Sequence, residues 1–155
     1  MSTYLTKIMK DLLYLRDDQI KDCIQLLLYA YRETFSDPKD ILQKNSLGSA
    51  HHRTLYLVER NEGISISELL LKLKVTKQSL NRVLRDLKRL KLVKQIKDIK
   101  DTRRKLLYLD QNGKRFYKEV FETQKKRIFN ALKNSDSDSV LKFKEVLKKI
   151  INGKK

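Results

Sequence analysis

The segment from Val75 to Val93, VTKQSLNRVLRDLKRLKLV, restricts the possible folds more than any other part of the chain. Its apolar residues recur every three or four positions, at Leu80, Val83, Leu84, Leu87 and Leu90. This spacing matches the period of an α-helix with one buried face. The opposite face carries polar side chains: Gln78, Arg82, Arg85 and Arg89, with Asn81 and Lys77 at its flank. The segment therefore predicts an amphipathic helix that exposes mainly Arg, Asn and Gln.

The exposed face of this helix has the side chains that read DNA. Arg, Asn and Gln have the geometry to bond guanine and adenine edges in the major groove, while Lys and Arg also neutralise phosphates. Our hypothesis is a DNA recognition helix whose base-contacting residues are Gln78, Asn81, Arg82 and Arg85. Flanking phosphates would be contacted by the N-cap residue Thr76, by Lys77 and by Ser79. The alternative is an ordinary surface helix with a solvated basic face, and charge alone does not separate the two.

The residues before this helix predict a shorter partner helix. Ser65 and Glu68 have the S-x-x-E spacing of a capping box, which would open a helix from Ile66 to Leu73. Two short helices joined by a few residues, the second with a basic face, are typical of a helix-turn-helix. A further helix is predicted upstream from Leu47 to Arg60, and Ile64 would form a one- or two-residue strand.

A β-hairpin is predicted after the helix-turn-helix. β-prone residues flank the charged segment DIKDTRRK: Val93 and Ile96 before it, and Leu107 and Leu109 after it. A hairpin beside a recognition helix is a wing, which can insert an arginine into the adjoining minor groove. Arg103 and Arg104 are the candidates, and Asp101 is placed to orient a guanidinium. The alternative is a solvated hairpin whose charges only prevent edge-to-edge aggregation.

Composition points to a polyanionic partner. The 155 residues include 36 Lys and Arg against 19 Asp and Glu, a net charge of +17, which is sufficient to hold nucleic acid. No apolar run approaches the roughly 20 residues of a membrane span, and no signal peptide is visible. The single cysteine excludes an internal disulfide and fits a cytoplasmic protein. One proline and four glycines favour a mostly helical fold.

Further helices are predicted before and after the helix-turn-helix and its wing. They run from Tyr4 to about Phe35, from Pro38 to about Lys44, from Gln111 to about Asn134 and from Val140 to Ile151. Asp37 and Asp110 are the expected N-caps of the second and third. The apolar faces of the terminal helices exceed what a small winged core can cover, so we expect a homodimer. Dimerisation helices at 1–46 and 111–155 would then flank a DNA-binding lobe at 47–110, within one compact chain.

The predicted fold is mainly α (α+β), a winged helix-turn-helix with N- and C-terminal dimerisation helices. In order of elements and in three motifs the chain resembles MarR-type bacterial transcription regulators, and their PetP-like branch in particular. The motifs are AHHRTLYLVERNEG at 50–63, the block ISISELLLKLKVTKQSLNRVLRDLKRLKLV at 64–93 and the wing with its continuation, KDIKDTRRKLLYLDQNG, at 97–113. Asp110 stands where that family usually has Thr, but both residues cap helices.

The resemblance implies an obligate dimer that places the helix from Thr76 to Leu90 in the major groove and Arg103 in the minor groove. It also implies a pocket for a small-molecule effector, where the dimerisation helices meet the winged lobe. By position that pocket would draw on Tyr31, Phe35, His51, His52 and Tyr56. Aromatic residues at helical spacing are more often core than ligand contacts, so a purely structural role is the alternative.

Two further features invite a functional interpretation. Cys23 suggests a redox sensor, because some relatives sense peroxides through a first-helix cysteine, but its place on the apolar stripe favours a buried core residue. His51 and His52 suggest a metal site. Adjacent helical residues diverge by about 100° and the chain has no other histidine, so no metal is expected.

No catalytic motif is present, and neither an enzyme nor a cofactor is expected. The sequence therefore predicts a cytoplasmic, dimeric regulator that binds double-stranded DNA at a pseudo-palindromic operator, and the resemblance adds a response to an effector. One alternative is a nucleoid-associated or RNA-coating basic protein that binds without reading sequence. Another is an adaptor whose wing contacts a protein partner.

Overall fold

The computed structural model describes residues 3–6 and 12–153. A 3-10 helix at Leu13–Leu15 precedes the long helices. The α-helices are labelled α1 (Asp17–Ser36), α2 (Lys39–Lys44), α3 (Ser49–Arg60), α4 (Ile66–Leu73), α5 (Lys77–Arg89), α6 (Gln111–Lys133) and α7 (Ser137–Asn152). The strands are β1 (Ile64–Ser65), β2 (Val93–Lys97) and β3 (Lys105–Leu109). This mainly helical architecture with a small antiparallel sheet confirms the predicted fold class.

The chain divides into two compact units, one ending at Ser36 and the other beginning at Asp37. In the first unit α1 starts later than predicted. Arg16 is extended and separates α1 from the 3-10 helix, and the acidic Asp17 and Asp18 then occupy the first turn, where they complement the helix dipole. Part of the predicted helix from Tyr4, at 7–11, lies outside the described residues.

The apolar residues of α1 are not buried within their own unit. Ile24 is 61% exposed and Leu28 is 60% exposed, and no residue of the helix is buried. Cys23 is exposed as well, so the interpretation of Cys23 as a buried core residue is wrong. The reason is that a helical stripe becomes a core only where a second apolar surface covers it, and the unit contains no such surface among its described residues.

The second unit contains the sheet, whose strand order is β1-β3-β2 with both pairs antiparallel. Val93 pairs with Leu109 and Lys97 pairs with Lys105, which confirms the predicted hairpin. Ile64 pairs with Leu107, so the predicted two-residue strand is also present. Leu107 at the centre is fully buried. The hairpin is thus fastened to the helical core through its second strand.

The core of this unit comes from the predicted apolar stripes. Its best-buried large side chains are Leu55, Val58, Leu69, Leu80, Leu84, Leu87, Leu107 and Val120. They come from α3, α4, α5, β3 and α6, so these elements share one cluster. Leu90 differs from the prediction. It follows the last turn of α5 and is 38% exposed, because the helix ends at Arg89 before the stripe returns to the core.

Most predicted helix caps are present. The Ser65 hydroxyl accepts the Glu68 N–H and the Glu68 carboxylate accepts the Ser65 N–H, which completes the capping box. Asp110 caps α6 by accepting the Gln111 N–H at 2.8 Å. Asp37 was expected to cap α2, and this is wrong. Its carboxylate instead accepts two hydrogen bonds from the Arg127 guanidinium, at 2.7 and 2.8 Å, since a bidentate arginine is the stronger partner.

The first turn of α6 packs directly on the backbone before β2. Gly113 is buried, and a Cβ atom at this residue would lie 1.9 Å from the carbonyl oxygen of Leu92. The same carbonyl accepts the Asp110 N–H at 2.9 Å. Glycine is therefore required here for close approach between helix and strand.

The carboxyl-terminal helices keep large apolar side chains on the surface. None of the residues of α7 is buried, although its apolar positions recur with helical spacing. The exposed set of α6 and α7 is Phe121, Ile128, Phe129, Leu141, Phe143, Val146, Ile150 and Ile151. No helix among the described residues is long and apolar enough to cross a membrane.

Candidate DNA-binding surface

The helix α5 is anchored at its start by Thr76. The Thr76 hydroxyl oxygen accepts the Ser79 N–H at 3.1 Å, and its proton is donated to the Ser79 hydroxyl at 2.9 Å. This confirms Thr76 as the N-cap. The stripe of Leu80, Val83, Leu84 and Leu87 is buried as predicted. Lys74 adopts the left-handed conformation, with φ of 53°, and ends α4 before the turn into α5, a detail that no sequence signal predicted because lysine has no preference for it.

The face of α5 opposite this stripe is open. Gln78, Asn81, Arg82 and Arg85 are all exposed. Among the described residues, none of these side chains makes a hydrogen bond or an ion pair. Lys77 lies beside them on the first turn and is exposed too. The four predicted base-reading side chains therefore share one surface and keep their donors and acceptors available for a ligand.

The helix α5 also makes polar contacts with other elements near its carboxyl end. The Nε2 atom of His51, on α3, lies 2.9 Å from Asp86 Oδ2. The ammonium of Lys88 bonds the side-chain carbonyl of Gln95 on β2. Burial and the nearby Lys105 lower the pKa of Lys88. Sequence reasoning missed both contacts, because neither pair has a recognisable spacing.

The wing carries Arg103 at its tip in an ordered arrangement. Asp98 N–H donates to the Arg104 carbonyl and Arg104 N–H to the Asp101 carbonyl, both at 2.9 Å. The Asp101 carboxylate accepts the Arg103 Nε–H at 3.1 Å, as the sequence predicted. These hydrogen bonds from Arg103 lower the pKa of Asp101. The Arg103 side chain is nonetheless 90% exposed, so it is oriented by the protein and open to solvent.

Arg104 has a different environment from Arg103. Its guanidinium donates to Glu68 Oε1 at 2.9 Å and lies 3.7 Å from Asp98 Oδ2. Glu68 belongs to the capping box of α4, and the hydrogen bond from the Ser65 amide is the largest cause of its lowered pKa. Arg104 thus links the wing, near its tip, to the amino end of α4. Its predicted contact with DNA stays a prediction.

A groove of about 400 Å³ separates the wing from the helix-turn-helix. Its walls are Ser65, Ile66, Ser67, Leu70, Lys77, Asn81, Arg103, Arg104 and Lys105. None of these residues is acidic, and four of them are cationic. An anion that entered the groove would meet both the predicted phosphate-binding Lys77 and the predicted minor-groove Arg103. Lys105 was not predicted as a site residue, although its place beside the wing arginines is visible in the sequence.

The residues predicted to line an effector pocket come from both units, two from the first and three from the second. Tyr31 and Phe35 stack within the first unit, with ring centroids 4.7 Å apart. In the second unit His51 faces Asp86, whereas His52 is buried beside the side chain of Gln124. Tyr56 lies against Tyr117 of α6, at a centroid distance of 6.3 Å. Whether these residues bind an effector stays a prediction.

The burial of His52 predicts that the free energy of unfolding decreases as the pH falls. Burial lowers the pKa of His52 below its ordinary 6.5. The side chain of Gln124 partly opposes this shift, and the nearby Arg53 lowers the pKa further. As the pH falls below 6.5, the unfolded chain therefore binds a proton that the folded chain does not. We expect the free energy of unfolding to decrease below pH 6.5, by at most about 1.4 kcal/mol per pH unit from this group.

The measurement is urea unfolding between pH 7.5 and pH 5.5, above the range in which most carboxylates titrate. His52→Gln, which cannot be protonated, should show a flatter dependence than the unchanged protein. Identical slopes for the two proteins would contradict the assignment of this dependence to His52.

A second cleft, of about 570 Å³, opens between the end of α3 and the first turns of α6. Its walls are Glu59, Arg60, Glu62, Leu109, Lys114, Tyr117, Lys118 and Phe121. The Tyr117 and Phe121 rings are nearly parallel at 6.2 Å. Burial, with smaller effects from Glu59 and Tyr56, raises the pKa of Tyr117 to about 12. Its hydroxyl, like that of an ordinary tyrosine, is protonated at neutral pH and can donate a hydrogen bond.

Two candidate sites remain, a redox sensor at Cys23 and a metal site at His51 and His52. Cys23 is exposed on α1, and its redox role stays a prediction. Within residues 3–6 and 12–153 no three His, Cys, Asp or Glu side chains are grouped as metal ligands.

A helix-turn-helix followed by a hairpin wing, with an open Arg- and Asn-bearing face on the second helix, defines a winged-helix DNA-binding protein. The MarR family model matches residues 46–104. The transcriptional regulator PetP of Rhodobacter capsulatus is 36% identical over 141 residues, which cover 91% of this chain and 85% of PetP. The chain belongs to the MarR family. It is therefore a DNA-binding transcription regulator and not an enzyme.

Solved structures agree on the fold. A mutant of MepR from a multidrug-resistant Staphylococcus aureus clinical isolate superposes with a TM-score of 0.71 at 19% identity, over 82% of this chain and 93% of that one. NadR in complex with 4-hydroxyphenylacetate gives a TM-score of 0.72 at 22% identity, over 83% of this chain and 91% of that one. At these identities the similarity establishes the winged-helix architecture alone.

Proposed function

We propose that this regulator acts in the cytoplasm as a homodimer on a pseudo-palindromic operator, with α5 in the major groove of each half-site. The observation that carries the proposal is the open face of α5. Gln78, Asn81, Arg82 and Arg85 are exposed on it, with the leucine stripe buried behind them. Side chains on a rigid, well-packed helix reach base edges with defined geometry, which sequence-specific reading requires.

The amino end of α5 is suited to phosphate contacts. Because the Thr76 hydroxyl donates to Ser79 Oγ, the Ser79 proton points elsewhere and can donate to a phosphate oxygen. Lys77 adds a positive charge at the mouth of the basic groove described above. These contacts would position the protein on DNA without reading sequence.

The wing would make the second contact with DNA, through Arg103. Arg103 is oriented by Asp101 yet almost fully exposed, as an arginine that enters a narrow minor groove needs to be. Arg104 would act mainly through its pairing with Glu68, which holds the wing at a set distance from α4.

Arg103→Ala is expected to weaken operator binding by about 1.5–3 kcal/mol, the size of a charge-assisted hydrogen bond, with the largest loss at A·T-rich flanks. Fluorescence anisotropy on duplexes that differ only in the flanks measures this. Lys100→Ala, which removes one positive charge from the same wing tip, is the matched control and should reduce binding equally on all duplexes. A flank-independent loss for Arg103→Ala would contradict the minor-groove assignment.

Homodimerisation is supported by the surface of the single chain. The apolar residues of α1 in the first unit, and those of α6 and α7 in the second, stay exposed. A stable protein rarely leaves so many large apolar side chains in contact with water. A second copy of the chain, which presents the same surfaces, would cover them through a two-fold interface. The helices at 1–46 and 111–155 would then serve dimerisation, and the lobe at 47–110 would serve DNA binding.

A small-molecule effector is supported by the cleft beside Tyr117. It has two aromatic rings, a tyrosine hydroxyl that can donate a hydrogen bond, and three cations, Arg60, Lys114 and Lys118, against the two acids Glu59 and Glu62. NadR was crystallised with 4-hydroxyphenylacetate, and a Staphylococcus aureus MarR with salicylate and kanamycin. Aromatic acids are therefore the compounds to test, by their ability to release the dimer from its operator.

Selection of bound duplexes from random DNA tests the proposed function. Enrichment of a pseudo-palindrome with half-sites about one helical turn apart, bound by a dimer, is the expected result. No enrichment, with steep salt dependence on every duplex, would instead indicate a protein that coats nucleic acid through its charge of +17. Retention of a protein partner with little affinity for DNA would indicate an adaptor.

A further inference from the structure

His51 makes two hydrogen bonds that determine which nitrogen carries its proton. It lies in the first turn of α3, with its side chain 16% exposed. Its Nδ1 atom accepts the backbone N–H of Gly48, the residue before the helix, at 3.1 Å. Because an amide N–H can only donate, Nδ1 must supply a lone pair. The ring proton is therefore on Nε2, which donates to Asp86 Oδ2 at 2.9 Å.

Asp86 is the one acidic residue of α5, and it directly follows the predicted base-reading Arg85. A carboxylate on a DNA-binding helix would repel phosphates, so the presence of Asp86 on this helix needs a structural explanation. Asp86 is held back from the exposed face, with its side chain only 33% exposed. Its second oxygen, Oδ1, lies 3.5 Å from the Arg89 guanidinium. Asp86 thus joins the buried side of α5 to α3.

The apolar stripe orients α5 on the core, but it limits small rotations of the helix less sharply than a hydrogen bond does. Contacts among leucine side chains are non-directional, and cores absorb small rotations by changes of rotamer. A hydrogen bond to a charged acceptor depends steeply on distance and angle. A rotation of α5 that moved the tips of Arg82 and Arg85 would lengthen the bond between His51 and Asp86.

We propose that His51 is a positioning residue for DNA reading: by holding Asp86 to the amino end of α3, it fixes the rotation of α5 and so the register of Arg82 and Arg85 on the bases. This inference rests on the proposed function of α5. It assigns His51 a role that differs from the predicted effector contact, since both ring nitrogens are engaged within the winged lobe. The residues that meet are 35 positions apart in the chain.

Two substitutions of His51 each remove one of its two hydrogen bonds and keep the other. In His51→Gln the amide nitrogen reaches the place of Nε2, so it keeps the donor to Asp86 and loses the acceptor for Gly48. In His51→Asn the amide oxygen takes the place of Nδ1, so it keeps the acceptor and loses the donor. Ser49→Ala, two positions earlier in the same turn and exposed, is the matched control and should change neither property.

The first measurement is the dissociation constant of each dimeric variant for the selected operator and for a random duplex at one salt concentration. His51→Asn should bind the operator about 10- to 150-fold more weakly, as expected for loss of a hydrogen bond to a charged group. Its binding to random duplex should stay within about twofold, because phosphate contacts tolerate a small rotation. His51→Gln should keep the operator affinity within about twofold, although its thermal stability falls with the lost cap.

A purely structural role for His51 would give a different pattern, in which operator binding follows stability in both variants. Equal operator affinities for His51→Asn and the unchanged protein would overturn the proposal, and so would equal losses for His51→Asn and His51→Gln. Asp86→Ala should reproduce the loss of His51→Asn, and the double variant should lose no more than either single one.

A second measurement does not depend on sequence-specific binding. Hydrogen exchange of the α5 amides in the free, full-length protein should speed up in His51→Asn by more than its loss of global stability explains, and in His51→Gln by no more than that loss. If the unchanged protein shows no preference for any duplex, the proposed function fails, and the exchange data still decide the role of His51. Unchanged exchange in His51→Asn would overturn the positioning role.

Discussion

Replacing Gly113 by alanine is expected to destabilise the fold by about 2–3 kcal/mol, the upper part of the range for overpacked sites. The new methyl group would lie 1.9 Å from the Leu92 carbonyl oxygen, which is backbone and cannot rotate away. Relief would require α6 to move off the residue before β2, and the hydrogen bond from the Asp110 N–H to the same oxygen would lengthen. The gain in helix propensity, at most about 1 kcal/mol, offsets only part of this cost.

Thermal unfolding measures the effect, and a decrease of roughly 5–10 °C corresponds to this energy for a chain of this size. Gly48→Ser is the matched control. A Cβ at Gly48 has no atom within 4 Å, and serine is a good N-cap for α3, so its melting temperature should change little. A stability for Gly113→Ala equal to that of the control would show that α6 is not packed on Leu92 as described.

Arg82→Ala and Arg85→Ala are each expected to weaken binding to the cognate operator by about 1–3 kcal/mol, or about 5- to 150-fold in the dissociation constant. Both side chains are exposed on α5, so alanine leaves the fold intact and removes the bidentate donors that distinguish guanine from the other bases. Discrimination at the contacted base pair should fall together with the affinity.

Anisotropy titrations of the operator, of single-base variants and of a random duplex measure both effects. Lys77→Ala should weaken all of these duplexes alike, because it removes a phosphate contact. Arg115→Ala, on α6 and far from α5 in sequence, removes the same charge and should change binding little. Equal losses on operator and random duplex for the two α5 arginines would contradict their assignment to base reading.

The local features of this chain could be predicted because their causes lie within a few residues. The burial of Leu80, Leu84 and Leu87 follows from spacing alone, and the caps at Ser65 and Thr76 follow from one side chain beside a helix start. The wing was predicted because β-prone residues flank a polar segment. The open face of α5, on which the candidate site depends, is the complement of its apolar stripe.

Three interpretations failed or stayed incomplete where distant residues decide. Asp37 was expected to cap α2 but pairs with Arg127, 90 positions away. Cys23 lies on an apolar stripe and is nevertheless exposed within its own unit. Arg104 had the same sequence environment as Arg103, yet Glu68, 36 positions earlier, takes its guanidinium. In each case the surroundings of the side chain depend on how elements pack, which a spacing rule does not contain.

The order of residues was enough to specify most of the helices and strands, which face of each is apolar, and that the face of α5 opposite its apolar stripe is basic and amide-bearing. These properties depend on periodicity, capping and net charge, which are local or additive along the chain. The packing of the elements was needed to show that His51 meets Asp86, that Gly113 must lack a side chain and that Arg104 supports the wing. Such contacts depend on the distance and angle at which elements pack, and many sequences with the same periodicity would place different side chains there.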